Sequence, residues 1–91
     1  MDSIKVKGTV LSIEPVLEKG NFKKQEIVVK TDDKYPQTFL IEFLKEKIEL
    51  VEFISVEEEI TVHCNLRGRE WVNGEGVSKY FLSLNGWKID K

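Results

Sequence analysis

An all-β barrel with one short helix is the fold this sequence predicts, and three observations predict it. Five strand-like runs are visible, and two of them, residues 4–10 and 60–67, alternate apolar and polar with period two, the signature of half-buried strands. A single helical stripe falls between the third and fourth of those runs. The chain has 91 residues, enough for one modest core that buries roughly 60–65% of the unfolded surface. Residues 1–91 are therefore expected to form one domain.

The first run is Ile4-Lys5-Val6-Lys7-Gly8-Thr9-Val10, and its apolar phase slips by one at Leu11-Ser12-Ile13. A slip inside a strand predicts a bulge or bend, with Gly8 supplying freedom for it. Residues 14–21 hold Pro15 and Gly20-Asn21 and read as a loop. Phe22 to Thr31 forms the second strand, centred on Ile27, Val28 and Val29. After the polar turn Asp32-Asp33-Lys34, Tyr35 to Phe43 forms the third, with Phe39, Ile41 and Phe43 on its core side. Leu44, Ile48 and Val51 lie at i, i+4 and i+7, one apolar stripe of a short α-helix. Ile60, Val62, Cys64 and Leu66 then alternate with Thr61, His63, Asn65 and Arg67 as the fourth strand. Asn73-Gly74-Glu75-Gly76 is a hairpin tip. Ser78 to Ile89 is the fifth strand, ambiguous in phase around Gly86. This order is that of the five-stranded OB-fold, a Greek-key barrel with one short helix between strands 3 and 4.

Composition narrows the function. No apolar run approaches the ~20 residues a membrane helix needs. Met1-Asp2-Ser3-Ile4-Lys5 lacks the basic and apolar segments of a secretory signal. Both point to a cytoplasmic protein with no membrane partner. The net charge is −2, but residues 42–59 carry two Lys against seven Glu, while both flanks are mildly basic. This balance argues against a general polyanion binder and leaves room for a local basic groove.

Catalytic readings find little support. One His and one Cys make no metal cluster, so neither a metal nor another cofactor is expected. His63 and Cys64 are neighbours on a strand and point to opposite faces, so they do not pair as base and nucleophile. Cys64 reads as a core thiol and His63 as an ordinary surface residue. No phosphate-binding glycine loop is present. The expectation is a protein that is not an enzyme.

The constellation that carries chemistry is cations interleaved with aromatic rings. Single-strand binding needs cations along the phosphates and ring faces for the bases. Phe22-Lys23-Lys24, Arg67-Gly68-Arg69-Glu70-Trp71 and Lys79-Tyr80-Phe81 each supply both. In an OB-fold these stretches fall on or beside strands two and three and the fourth-to-fifth loop, where nucleic acid lies. Lys23, Lys24, Arg67, Arg69 and Lys79 are the expected phosphate contacts, and Phe22, Trp71 and Tyr80 the stacking rings. Tyr80 and Phe81 point oppositely, so at most one of them lies on the binding side. Each residue has a plainer role open to it: Arg67 and Arg69 in pairs with Glu70 or Glu75, Phe22 as a core plug, Trp87 as core packing.

The stretch Asn65-Leu66-Arg67-Gly68-Arg69-Glu70-Trp71, with Lys79-Tyr80-Phe81 and Lys34-Tyr35-Pro36-Gln37, resembles a family of short bacterial OB-fold proteins of unknown function. The resemblance spans nearly the whole chain. It implies the barrel and a place beside single-stranded-DNA-binding proteins. Replication-type members of that group continue into a tail that recruits partners. This sequence ends at Trp87-Lys88-Ile89-Asp90-Lys91, directly after the last strand, which suggests a barrel-only binder. Two functions follow as expectations. The first is a non-enzymatic module for single-stranded nucleic acid, DNA favoured over RNA. The alternative is a protein-interaction barrel, with the acidic block at Glu42–Glu59 as a docking face and the Trp71 hairpin as an arm of a homo-oligomer, a dimer or tetramer.

Overall fold

The computed structural model describes residues 3–91. Met1 and Asp2, part of the segment read for a secretory signal, lie outside the described residues. Six strands and one 3-10 helix follow in order: β1 (Ile4–Ile13), β2 (Leu17–Lys19), β3 (Phe22–Thr31), β4 (Thr38–Leu44), the helix (Lys45–Phe53), β5 (Glu59–Val72) and β6 (Ser78–Asp90). Without the short β2, these are the five strands of an OB barrel.

The strand order β1-β5-β6-β4-β3-β2, with β1 also paired to β3, bends the sheet into a ring. β1 makes this possible by serving two neighbours. Its first half, Ile4 to Thr9, pairs with β5, and its second half, from Gly8 to Ile13, pairs with β3. The register slips between Val10 and Ser12, so Leu11 is the bulge that the phase slip in the sequence predicts. On the other side the ring closes through two parallel pairs, Ile41 with Leu84 and Glu42 with Asn85.

Alternation places one face of each strand in the core. Val6, Val10, Ile27, Val29, Ile41, Phe43, Ile60, Val62 and Cys64 are buried, with Val51 and Ile54 closing one end. Cys64 is the core thiol expected, and burial pushes it up to about 11, so it stays protonated at neutral pH. The Phe43 ring lies against Gly86, in space that any side chain there would fill.

Several elements differ from the sequence reading. The loop at 14–21 contains β2, because Gly20 takes a φ of +62° and folds Leu17–Lys19 back onto β3 as a hairpin. β4 starts at Thr38 rather than Tyr35. Pro36 has no N–H to give a ladder, and Thr31 and Gln37 close the loop instead: the Thr31 N–H donates to the Gln37 carbonyl at 2.8 Å, and the Gln37 N–H to Thr31 Oγ1 at 2.9 Å. The helix stands where its stripe predicts, but with 3-10 rather than α geometry, and of the stripe only Val51 is fully buried.

The phase ambiguity near Gly86 is a second bulge. Cys64 pairs with Gly86 and His63 with Lys88, so Trp87 is the extra residue. The bulge turns Trp87 outward, 37% exposed, and not into the core as core packing would require. There its ring tilts against His63, with centroids 5.4 Å apart. His63 is correspondingly buried, not an ordinary surface residue: Trp87 covers it, and its Nε2 meets Asp90 Oδ2 at 2.7 Å. This hydrogen bond, helped by the charge of Lys88, holds the Asp90 carboxyl below its ordinary value of 3.8. A depressed carboxylate contributes stability above its unfolded-state value and loses it as pH falls through the native one. Asp90→Asn is therefore expected to lower Tm at every pH from 7 to about 4. Melting curves of the two proteins should converge as pH drops further. A Tm difference unchanged at pH 2 would contradict the pairing.

Candidate nucleic-acid interface

β5 and β6 run past the barrel as a two-stranded arm. From Arg67 to Val72 and from Ser78 to Leu82 every residue is exposed. The tip is organised by Asn73. Its Oδ1 accepts the N–H of Glu75 at 2.8 Å and of Val77 at 3.0 Å, and Gly76 adopts a φ of +80°. That turn fixes the register, with Trp71 opposite Lys79, Arg69 opposite Phe81 and Arg67 opposite Ser83. Cross-strand partners share a face. One face of the arm therefore carries Arg67, Arg69, Trp71, Lys79 and Phe81. The Arg69 guanidinium lies over the Phe81 ring, 5.8 Å from its centroid.

At its base this face looks across a groove of about 660 Å3. Phe22, Lys24, Glu42 and Leu44 form one wall, and Arg67, Arg69, Phe81 and Asn85 belong to the other. Phe22 is exposed, not a core plug. Three cations and one carboxylate line the groove.

The two walls differ in electrostatics. Lys24 sits 3.5 Å from Glu42 and 3.9 Å from Glu26, all three mostly shielded from water. Its charge is already answered, so that wall offers little to a phosphate. Among the described residues no ion pair involves Arg67, Arg69 or Lys79. The pairs with Glu70 or Glu75 left open by the sequence are not formed. The free positive charge of the interface lies on the arm wall.

Of the eight residues singled out in the sequence, the structure brings six together. Phe22, Lys24, Arg67 and Arg69 line the groove, and Trp71 and Lys79 continue its face toward the tip. Lys23 points to the other side of the β2–β3 hairpin, 3.9 Å from Glu18. Tyr80 lies on the opposite face of the arm, among Glu70, Val72 and Leu82. Phe81 takes the position on the basic face. Counting two residues at a time from a Trp71–Lys79 pair across the tip would have selected it. Asn85 and Leu44 have no comparable signal in the sequence.

A family model described as Domain of unknown function (DUF3127) matches residues 5–90. The chain belongs to that family. No curated protein matches this DUF3127 chain in sequence. Solved structures match its fold. The mitochondrial single-stranded DNA binding protein Rim1 of S. cerevisiae superposes with a TM-score of 0.75 at 14% identity, over 98% of this chain and 92% of that one. The SSB domain of a Synechococcus sp. protein gives a TM-score of 0.71 at 17% identity, over 100% and 96%. At these identities the likeness is one of fold, and it is the OB fold that the DUF3127 sequence predicts. Among the described residues no group of three or more His, Cys, Asp or Glu is placed to hold a metal. Among the described residues no helix is long and apolar enough to cross a membrane.

Proposed function

We propose that this protein is a non-enzymatic module that binds single-stranded nucleic acid, DNA in preference to RNA, along the basic face of its arm. One observation carries the reading: unpaired Arg67 and Arg69 share a face with Trp71, Phe81 and Lys79 above a groove floored by the barrel. Cations there can follow a phosphate chain while the rings take up bases, and only unpaired bases have free faces to stack. The answered charge of Lys24 directs the strand to the arm wall. The solved proteins of like fold, named for single-stranded DNA binding, support DNA as the ligand.

The test is a parallel titration of labelled single-stranded DNA, single-stranded RNA and duplex DNA at low salt, read by anisotropy. Single-stranded DNA should bind at least about tenfold more tightly than duplex, the loss of one stacked base or more. Duplex binding equal to single-strand binding would remove the reading.

The second reading, self-association, is favoured by the other face of the arm. Val72, Tyr80 and Leu82 are all exposed there, next to a cleft of about 740 Å3 lined by Ile4, Phe39, Leu40 and Leu84. The acidic block is a weaker docking face than its composition suggests, because Glu42, Glu58 and Glu59 pair with Lys24, Lys91 and Lys7. Self-association through the apolar face predicts that Leu82→Glu shifts the protein to monomer mass in gel filtration. A wild type that already elutes as a monomer at high concentration would exclude it.

A further inference from the structure

Among the described residues, Asn85 is the one polar side chain that lacks what burial demands. Its Nδ2 and Oδ1 are both shut off from solvent, and neither has a hydrogen-bond partner among the described residues. Buried amides are almost always satisfied, and an orphaned one costs stability unless something completes it. Asn85 lies on the outer side of β6, opposite Asn65 on β5 and level with Glu42 on β4. There it lines a second cleft of about 420 Å3, together with Leu44, Lys47, Asn65, Arg67 and Trp87. This cleft shares Leu44, Arg67 and Asn85 with the groove below the arm. It is a side chamber of the same surface.

The chamber constrains its ligand in three ways. Neither amide end is open to solvent where it stands, and no hydrogen bond among the described residues holds it there, so the Asn85 side chain must turn into the chamber to meet a ligand. An amide presents one donor group and one acceptor side by side, so the ligand must offer the complementary pair. Trp87 supplies a flat apolar wall. The wall is held in place, because its ring rests on His63, which Asp90 fixes in turn. Arg67 and Lys47 in the lining favour an anion attached to the ligand. A bare phosphate would satisfy the two cations and leave the Asn85 carbonyl without a donor. A lipid tail would satisfy the wall and leave both amide ends orphaned. A nucleobase on its sugar-phosphate meets all three, since base edges carry neighbouring donors and acceptors.

We propose that this chamber is a nucleobase subsite, which takes one base turned out of a strand lying in the groove and hydrogen-bonds its edge to the Asn85 amide against Trp87. The inference rests on the reading of the groove as a single-strand site and adds base recognition to it. Backbone cations and stacking rings tolerate any sequence. An amide that reads a base edge gives one position of the strand a different dependence.

The experiment compares a labelled single-stranded DNA with the same strand made wholly abasic, against wild type, Asn85→Leu and Trp87→Ala. Asn85→Leu replaces the orphaned amide with an apolar group of similar size. It should weaken binding of the base-carrying strand by about 5- to 150-fold, the range for a bidentate base contact, and weaken binding of the abasic strand far less. It should also raise Tm of the free protein by several degrees, since it removes an unsatisfied buried group. Trp87→Ala should reproduce the selective loss. Equal losses for both strands, or none, would overturn the inference. Displacement of the strand by an equal nucleotide concentration of free dTMP would assign the chamber to free nucleotides instead and overturn the strand-borne base. Binding that needs Arg67 and Trp71 but ignores Asn85 removes this inference alone. Binding of neither strand by the wild type removes the groove reading, and the subsite with it.

Discussion

Gly8→Ala is expected to destabilise the protein by about 3 kcal/mol, an overpacking cost at the upper end of the usual range. That corresponds to a fall in Tm of roughly 12–24 °C for a domain of this size. Gly8 is where β1 changes partners, paired to Ile60 on one side and Thr31 on the other. A Cβ there would overlap the backbone carbonyl of Lys30. Backbone cannot rotate aside as a side-chain end can, so β1 and β3 would have to separate at the seam that closes the barrel. Gly86→Ala should act by a second route to a similar extent, because its Cβ would enter the ring of fully buried Phe43. Thermal melts or urea titrations of both variants check this. A loss below about 1 kcal/mol for Gly8→Ala would mean that the seam has room to give.

The second large effect concerns binding. Trp71→Ala should weaken affinity for single-stranded DNA by about 5- to 150-fold, the equivalent of one stacked base at ~1–3 kcal/mol. Arg67→Ala should weaken it less, and should reduce the slope of log K against log salt by about 0.7, the share of one phosphate contact on a single strand. Tyr80→Ala is the control that separates this account from a general effect of the arm. Tyr80 is more exposed than Trp71, at 76% against 49%, yet it lies on the other face. Its removal should leave both affinity and salt slope unchanged. A loss with Tyr80→Ala equal to that with Trp71→Ala would show that the register does not sort the arm into two functional faces.

Much of the fold was legible because it depends on local pattern. The phase slip at Leu11-Ser12 and the ambiguity at Gly86 both mark bulges, and both bend strands that must serve two neighbours. What the pattern could not carry was contact between distant elements. Lys24 reads as a free cation beside Phe22, and only the β3–β4 register brings Glu42 within 3.5 Å of it. His63 reads as a surface residue by strict alternation. The Trp87 bulge reverses that by laying an indole across it. Trp87 for its part reads as core, because a bulged residue leaves the alternation that would have buried it. Tyr80 and Phe81 are neighbours in a run without a buried anchor, so the choice between them needs the register set across the Asn73 turn. The orphaned Asn85 amide depends on packing by three strands and leaves no mark in the sequence at all.

The most direct test of the account is the intrinsic tryptophan fluorescence of the wild-type protein, titrated with oligo-dT at low salt and again as salt is raised. Trp71 on the basic face should be quenched on binding. With Arg67, Arg69 and Lys79 each meeting a phosphate, log K should fall with log salt at a slope of about −2. Fluorescence that stays constant with micromolar protein and excess oligonucleotide, or binding that is indifferent to salt, would contradict the claim that these cations and rings form one surface for a single strand.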